Sequence, residues 1–240
     1  MYLWKCWRDT RYPFLVFVSA LLAWGAYGAY VQFDPFGWVA AKPEASRVIW
    51  QGMARFGVAS MVGFIPLVGF VLGSLGVGTE FEKRTADFLL TRPHTRRYFL
   101  WTSWSVGAAQ IIALVLLSHA INRLTGTDYL NFGQSVDILS NMAAFSTIAL
   151  VIYTVTFVMT TLTRKSQHGM SLGVAVIVAY TGLYGWVLVS YGTRIPMIWE
   201  RIFYSGRAIS DLAPSVIFGW LIVCFVLVLA AQFSLERAET

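Results

Sequence analysis

The chain has 240 residues, of which 57% are hydrophobic and only 12% charged, and its formal net charge is +6. A soluble domain of this length must keep a largely polar exterior and cannot hide so much apolar surface, so the composition excludes one and points to an integral membrane protein. The basic residues sit between apolar runs and form no single stripe, which argues for orientation in a bilayer and against a nucleic-acid partner.

Taken in order, residues 1–12 place Leu3, Trp4, Cys6 and Trp7 on one side of a helical wheel and Lys5, Arg8 and Asp9 on the other. That pattern predicts an amphipathic helix lying in the headgroup layer, anchored by Trp4, Trp7 and Arg8. Pro13 is expected to turn the chain into the bilayer, and the apolar run after it is too long for a typical secretory signal. Six apolar stretches, 14–33, 56–78, 98–122, 138–163, 169–191 and 212–235, are each long enough to cross about 30 Å of hydrocarbon as a helix. None contains Asp, Glu, Lys or Arg, each of which would cost about 2.5–3.5 kcal/mol near a span centre. The fold class is therefore all-α: one transmembrane domain over 1–240, with six spans and an N-terminal interfacial helix.

The connections differ in character. Asp34 to Arg55, with Pro35, Trp38, Pro43 and Trp50, reads as a loop skimming the surface. Residues 80–97, EFEKRTADFLLTRPHTRR, form the longest charged passage in the chain. Within it Phe88, Leu89 and Leu90 give a short surface helix an apolar edge, and Pro93 ends that helix by disfavouring helical geometry at Arg92. The residues alone fit two roles, docking on another protein or resting on the chain's own bundle. Arg164 and Lys165 fill a very short turn, and Ile198, Trp199, Ile202 and Phe203 suggest a helix in the outer interface. With the N-terminus inside, eleven of the 18 Lys and Arg fall on the inner side, so both termini of this multi-pass protein are expected in the cytoplasm, below a cell (inner or plasma) membrane.

Polar groups within the spans are few. Gln110, Asn141 and Thr154 are candidates for a substrate pathway or for hydrogen bonding between helices, and His119 is expected near the outer surface, where water satisfies it. Gly69 and Gly73, and Gly169 and Gly173, stand four apart, a spacing that lets helices approach closely. Cys6 and Cys224 imply no disulfide framework. No lysine follows a glycine, so no phosphate-cradling G-x-x-x-x-G-K-[ST] loop exists, and neither a G-x-S-x-G elbow nor a metal-ligand spacing of His and Cys occurs. No catalytic, cofactor-binding or metal residue is assigned, so any energy would have to enter through a partner.

The passage GTEFEKRTADFLLTRPHTRRYFLWTSW, after a glycine-rich end to the second span, resembles the membrane subunit of ABC type-2 transporters. Glu80 and Glu82, Thr85, Leu89 and Leu90, Pro93, and Arg96 or Arg97 stand where that family commonly has its acidic, threonine, leucine-pair, proline and basic positions. The uncharged WTSW stretch replaces the lysine that often opens the third span. The resemblance implies a non-catalytic permease, most simply an exporter, working with a cytoplasmic ATP-binding-cassette ATPase that carries ATP and Mg. It also implies a second permease subunit, identical or related, with the pathway at the shared interface. Thr85 to Arg92 would be a coupling helix inserted into the ATPase, with Phe88, Leu89 and Leu90 buried there and Asp87, Arg92, Arg96 and Arg97 forming rim pairs. The alternatives are a channel or ion-coupled carrier acting alone, and a membrane-embedded enzyme or assembly factor.

Overall fold

The computed structural model of the chain describes residues 2–75, 77–82, 95–124, 138–191 and 214–237. All the described elements are helices: α1 Tyr2–Phe33, α2 Glu44–Ser74, α3 Val77–Glu82, α4 Thr95–Leu124, α5 Ile138–Thr163, α6 Ser166–Tyr191 and α7 Pro214–Arg237. The most hydrophobic of them need no amphipathic stripe, because their surroundings are apolar on the lipid side as well as the protein side.

The middle of the bundle is α5, which packs against α2, α3, α4, α6 and α7, while α1 lies against α2 and α4. Tyr153 and Phe157 of α5 are fully buried among Val68 and Leu72 of α2 and Ile111, Leu114 and Val115 of α4. The paired glycines explain how α5 can have so many neighbours. A Cβ on Gly69 would lie 2.7 Å from the Ala149 carbonyl oxygen, and one on Gly73 would lie 2.7 Å from that of Tyr153. On the opposite flank, a Cβ on Gly169 would run into the backbone of Thr160, and one on Gly173 would come within 3.2 Å of the Thr156 hydroxyl. Both four-residue glycine spacings thus face the same central helix, where absent side chains let backbones touch.

These pairings also fix direction. Gly69 meets 149 and Gly73 meets 153, so α2 and α5 run parallel, whereas Gly169 meets 160 and Gly173 meets 156, so α6 runs back along α5. Thr10 meets Gln110, and Gly25 lies against Ile121, so α1 and α4 run together. Arg97 meets Glu236 and Trp101 meets Gln232, so α7 returns along α4. One end of the bundle therefore gathers the start of α1, the short α3, the start of α4, the α5–α6 turn and the end of α7. Among the described residues four helical segments are long and apolar enough to cross a membrane: Leu3–Phe33, Arg97–Ile121, Ser146–Thr163 and Ile217–Arg237. The described apolar parts of α2 and α6, Phe64–Ser74 and Ser166–Ala179, are shorter.

Four expectations need correction. The break at Pro13 is absent, and α1 continues through it from Tyr2 to Phe33. Its first turns are held in line because Cys6, Thr10, Leu21 and Val31 form one buried stripe along the whole helix. Leu3 and Trp4, expected on the same apolar face as Cys6, point outward and are 59% and 60% exposed. The surface loop expected from Asp34 to Arg55 closes by residue 43, because Pro43 (φ −53°, ψ 147°) leads directly into α2 and Glu44 sits in its first turn, where the helix dipole favours a carboxylate. The second expected span, 56–78, is interrupted: α2 stops at Ser74, and a separate six-residue helix, α3, begins at Val77. The freed Ser74 carbonyl accepts a bond from the Ser166 hydroxyl at 3.0 Å, which satisfies one of the acceptors a helix end leaves open.

Candidate functional site: the polar end of the bundle

The end of the bundle that gathers α3 and the start of α4 carries the charged chemistry predicted from residues 80–97. Of those residues Thr85, Asp87, Phe88, Leu89, Leu90, Arg92 and Pro93 lie outside the described residues. Glu82 closes α3 and Arg96 stands in the first turn of α4. Glu80 is buried, 8% exposed, and its carboxylate takes the Lys5 ammonium at 2.5 Å. Asp9, one turn further along α1, lies against the same carboxylate. Glu80, expected in the cytoplasmic coupling loop, stands in α3 and fastens that helix to the first turns of α1. A charge this well buried needs such a partner. On the other side of α3, the Arg164 guanidinium stands 5.4 Å over the Phe81 ring. Arg164 reaches this position with a left-handed backbone, φ 54°, in the two-residue turn between α5 and α6, and the Thr163 hydroxyl bonds the Lys165 carbonyl there.

At the start of α4, Arg97 Nε donates to Glu236 Oε1 at 2.8 Å. Gln232 Nε2 donates to the same oxygen at 3.0 Å, and Trp101 Nε1 donates to Gln232 Oε1 at 3.0 Å. The next tryptophan on α4, Trp104, is T-shaped to Trp101 and donates to the Thr154 hydroxyl at 3.0 Å. A chain of side-chain hydrogen bonds and edge-to-face indoles therefore runs from the end of α7, across α4, into α5.

The remaining predicted residues fall at separate places. Gln110 is 3% exposed, and its Nε2 donates to Thr10 Oγ1 at 2.9 Å, joining α4 to α1. Thr154 is fully buried behind Trp104. Asn141 lies in the first turn of α5, away from both. Trp7 packs edge-on against Phe14, 5.6 Å between ring centroids, and the Arg8 guanidinium stands 3.8 Å from the Asp9 carboxylate. His119 is not solvated as expected: it is 7% exposed, with Nδ1 2.9 Å from the Val115 carbonyl oxygen. Among the described residues no three His, Cys, Asp or Glu side chains gather as a metal site would require.

Residues 4–198 match the ABC-2 family transporter protein family. The chain belongs to that family. No curated protein matches it. As an ABC-2 permease it is a multi-pass membrane protein and a transport component, and the match covers α1 to α6, including the charged passage. Its helix α7 lies past the matched region. Sequence reasoning placed Lys5 only on the polar side of the N-terminal helix and did not single out Thr10, Trp101, Gln232 or Glu236. One signal was present: Gln232 and Glu236 are spaced four apart at the end of an apolar helix, a polar face with no reason to exist against lipid.

Proposed function

We propose that the chain is the six-span permease subunit of an ABC exporter, with both termini and the 83–94 segment on the cytoplasmic side. A separate ATPase subunit, carrying ATP and Mg, would drive it, and a second permease subunit would complete the pathway at a shared interface. The observation that carries this reading is the family match across the charged passage, since ABC-2 permeases normally work with an ATP-binding-cassette ATPase. The flanks of that passage support it. Glu80 is tied to α1 and Arg97 to α7, so a push delivered between them would reach the bundle through short, charged links and not dissipate in a slack loop. In this reading Thr85 to Arg92 form the coupling helix, and Phe88, Leu89 and Leu90 fill a groove of the ATPase while charged neighbours set register.

The test is purification from native membranes. An ATP-hydrolysing subunit should accompany the chain in fixed ratio, and a Leu89→Glu/Leu90→Glu variant should insert normally while retaining about a tenth of that subunit or less, as expected for loss of a buried hot spot. Solute movement by the purified chain alone, without nucleotide, would overturn the reading.

A further inference from the structure

The end of α7 makes contacts that neither the family match nor the coupling helix accounts for. It lies beyond residue 198, yet its last two turns hold the first two turns of α4 through two hydrogen bonds, whose acceptors are tied to each other by a third within α7. Glu236 Oε1 accepts from Arg97 and from Gln232, and Gln232 Oε1 accepts from Trp101. Gln232 is buried, and the Trp101 ring leans on Phe225, two turns earlier along α7, at 5.2 Å between centroids. An isolated exposed ion pair would count for little. Here the carboxylate is two-thirds or more shielded, and the amide that orients it is itself oriented by an indole, so the members support one another.

We propose that Glu236 and Gln232 are positioning residues for α4: together with Arg97 and Trp101 they clasp the start of α4 to the end of α7, so the two ends move as one. The contrast with the rest of α7 supports this. The face of α7 carrying Phe218, Ile222, Val226 and Phe233 is exposed, as a lipid-facing surface is, while its buried side is apolar at Cys224, Val228, Ala231 and Leu235 and is edged by a narrow polar strip at Gln232 and Glu236. A helix held merely by apolar packing would have no use for a Gln and a Glu four residues apart on that strip. The consequence for transport rests on the reading of the chain as an ATPase-driven permease: displacement of the start of α4 is delivered to α7, the last helix of the chain in this structure.

The experiment uses the full chain in lipid nanodiscs, with and without the co-purified ATPase, and compares the unmodified protein with Glu236→Lys and with Arg97→Glu/Glu236→Lys. In the absence of nucleotide, hydrogen exchange at amides 99–104 should accelerate about tenfold in the single variant, the factor that about 1.4 kcal/mol of lost local stability gives. It should return to within about twofold of the original in the double reversal, and no acceleration in the single variant, or no rescue in the double, overturns the clasp. With ATP, a spin label at Phe233 should change mobility in the unmodified protein and in the double reversal but not in Glu236→Lys, while a label at Tyr98 responds in all three. A Phe233 label that still responds in Glu236→Lys overturns delivery to α7. If neither label responds in the unmodified protein, it is the ATPase-driven reading that fails, and the exchange result alone decides the clasp.

Discussion

Two parts of this bundle are joined in opposite ways. Around α5, helices α2 and α6 meet it backbone to backbone, through Gly69, Gly73, Gly169 and Gly173. At the polar end, α1, α3, α4 and α7 are joined by the tips of long side chains: Lys5 to Glu80, Arg97 and Gln232 to Glu236, Trp101 to Gln232. The first kind of contact has little freedom, because sliding either helix brings a neighbouring side chain onto α5 where only a glycine fits. The second can lengthen, re-pair or be broken singly, each event worth roughly 0.6–1.7 kcal/mol in a membrane setting. A permease needs both, a frame that keeps its shape and a face that yields when pushed, and this chain separates them between its glycines and its charges.

The sharpest break of that comparison comes from filling the glycine seam. Gly169→Leu puts a side chain into the Thr160 backbone, which cannot step aside, and Gly73→Leu does the same against the carbonyl of Tyr153. Overpacking of this kind costs about 1–3 kcal/mol and at times more. Both variants should lose most of their folded, monodisperse fraction after mild heating in detergent, read by size-exclusion chromatography. Gly219 is the control, since a Cβ there meets nothing within 4 Å, and Gly219→Ala should behave as the unmodified protein. Equal tolerance of Gly169→Leu and Gly219→Ala would show that the seam is not rigid.

A smaller effect is expected where side chains reach across to α4. The Tyr153 hydroxyl donates to the Ser103 or Trp104 carbonyl at 3.2 and 3.1 Å, and the space for its ring is made by Gly107. Those carbonyls keep their own helical partners, so Tyr153→Phe should cost only about 1 kcal/mol, the net value of one hydrogen bond. A double-mutant cycle of Trp104→Phe with Thr154→Val should give a coupling of about 0.6 kcal/mol, with about 1.7 as the upper end for such pairs. Coupling indistinguishable from zero would mean that the indole and the hydroxyl are neighbours without being partners.

How much of this was legible beforehand depends on whether a residue acts locally. The helical segments of α5, Ile138–Thr163, and the end of α6 at Tyr191 coincide with the apolar stretches, because length and hydrophobicity decide them. The glycine spacings were legible as small-residue faces, but not that both press on one helix, since sequence spacing carries no information about which neighbour is met. Pro13 and Pro43 mislead in the same direction, since each suggests less helix than the fold contains. Pro13 suggests a break, yet the buried stripe from Cys6 to Val31 holds one helix through it. Pro43 suggests loop, yet its fixed φ lets a helix begin at the next residue. The charged end was found as a region, whereas its pairings, 75 residues apart for Lys5 and Glu80 and 139 for Arg97 and Glu236, had no local signature. Glu80 shows the cost of this: it resembles a docking residue in sequence and is a buried strut in the fold.

The smallest expected effect lies at the far end of the molecule and tests whether rigidity there has yet another source. Asp34 closes α1 in a left-handed conformation, φ 39°, and its two carboxylate oxygens accept the backbone N–H of Val39 at 3.0 Å and of Ala40 at 2.7 Å. The Val39 bond, with those from Ala40 and Trp38, holds this carboxyl below the ordinary aspartate value against desolvation, which raises it. A carboxyl lowered in the folded state stabilises the turn at pH values above its unfolded pKa and loses that contribution as pH falls through the lower folded value. The 34–43 turn should therefore resist proteolysis unchanged from pH 7 down to about 4 and become more readily cut only below that. Asp34→Ala should show the low-pH susceptibility at every pH, with no change in the helices it joins. If the variant and the unmodified protein are cut equally at neutral pH, the turn is held by Pro43 and the ends of its helices, and the carboxylate is incidental.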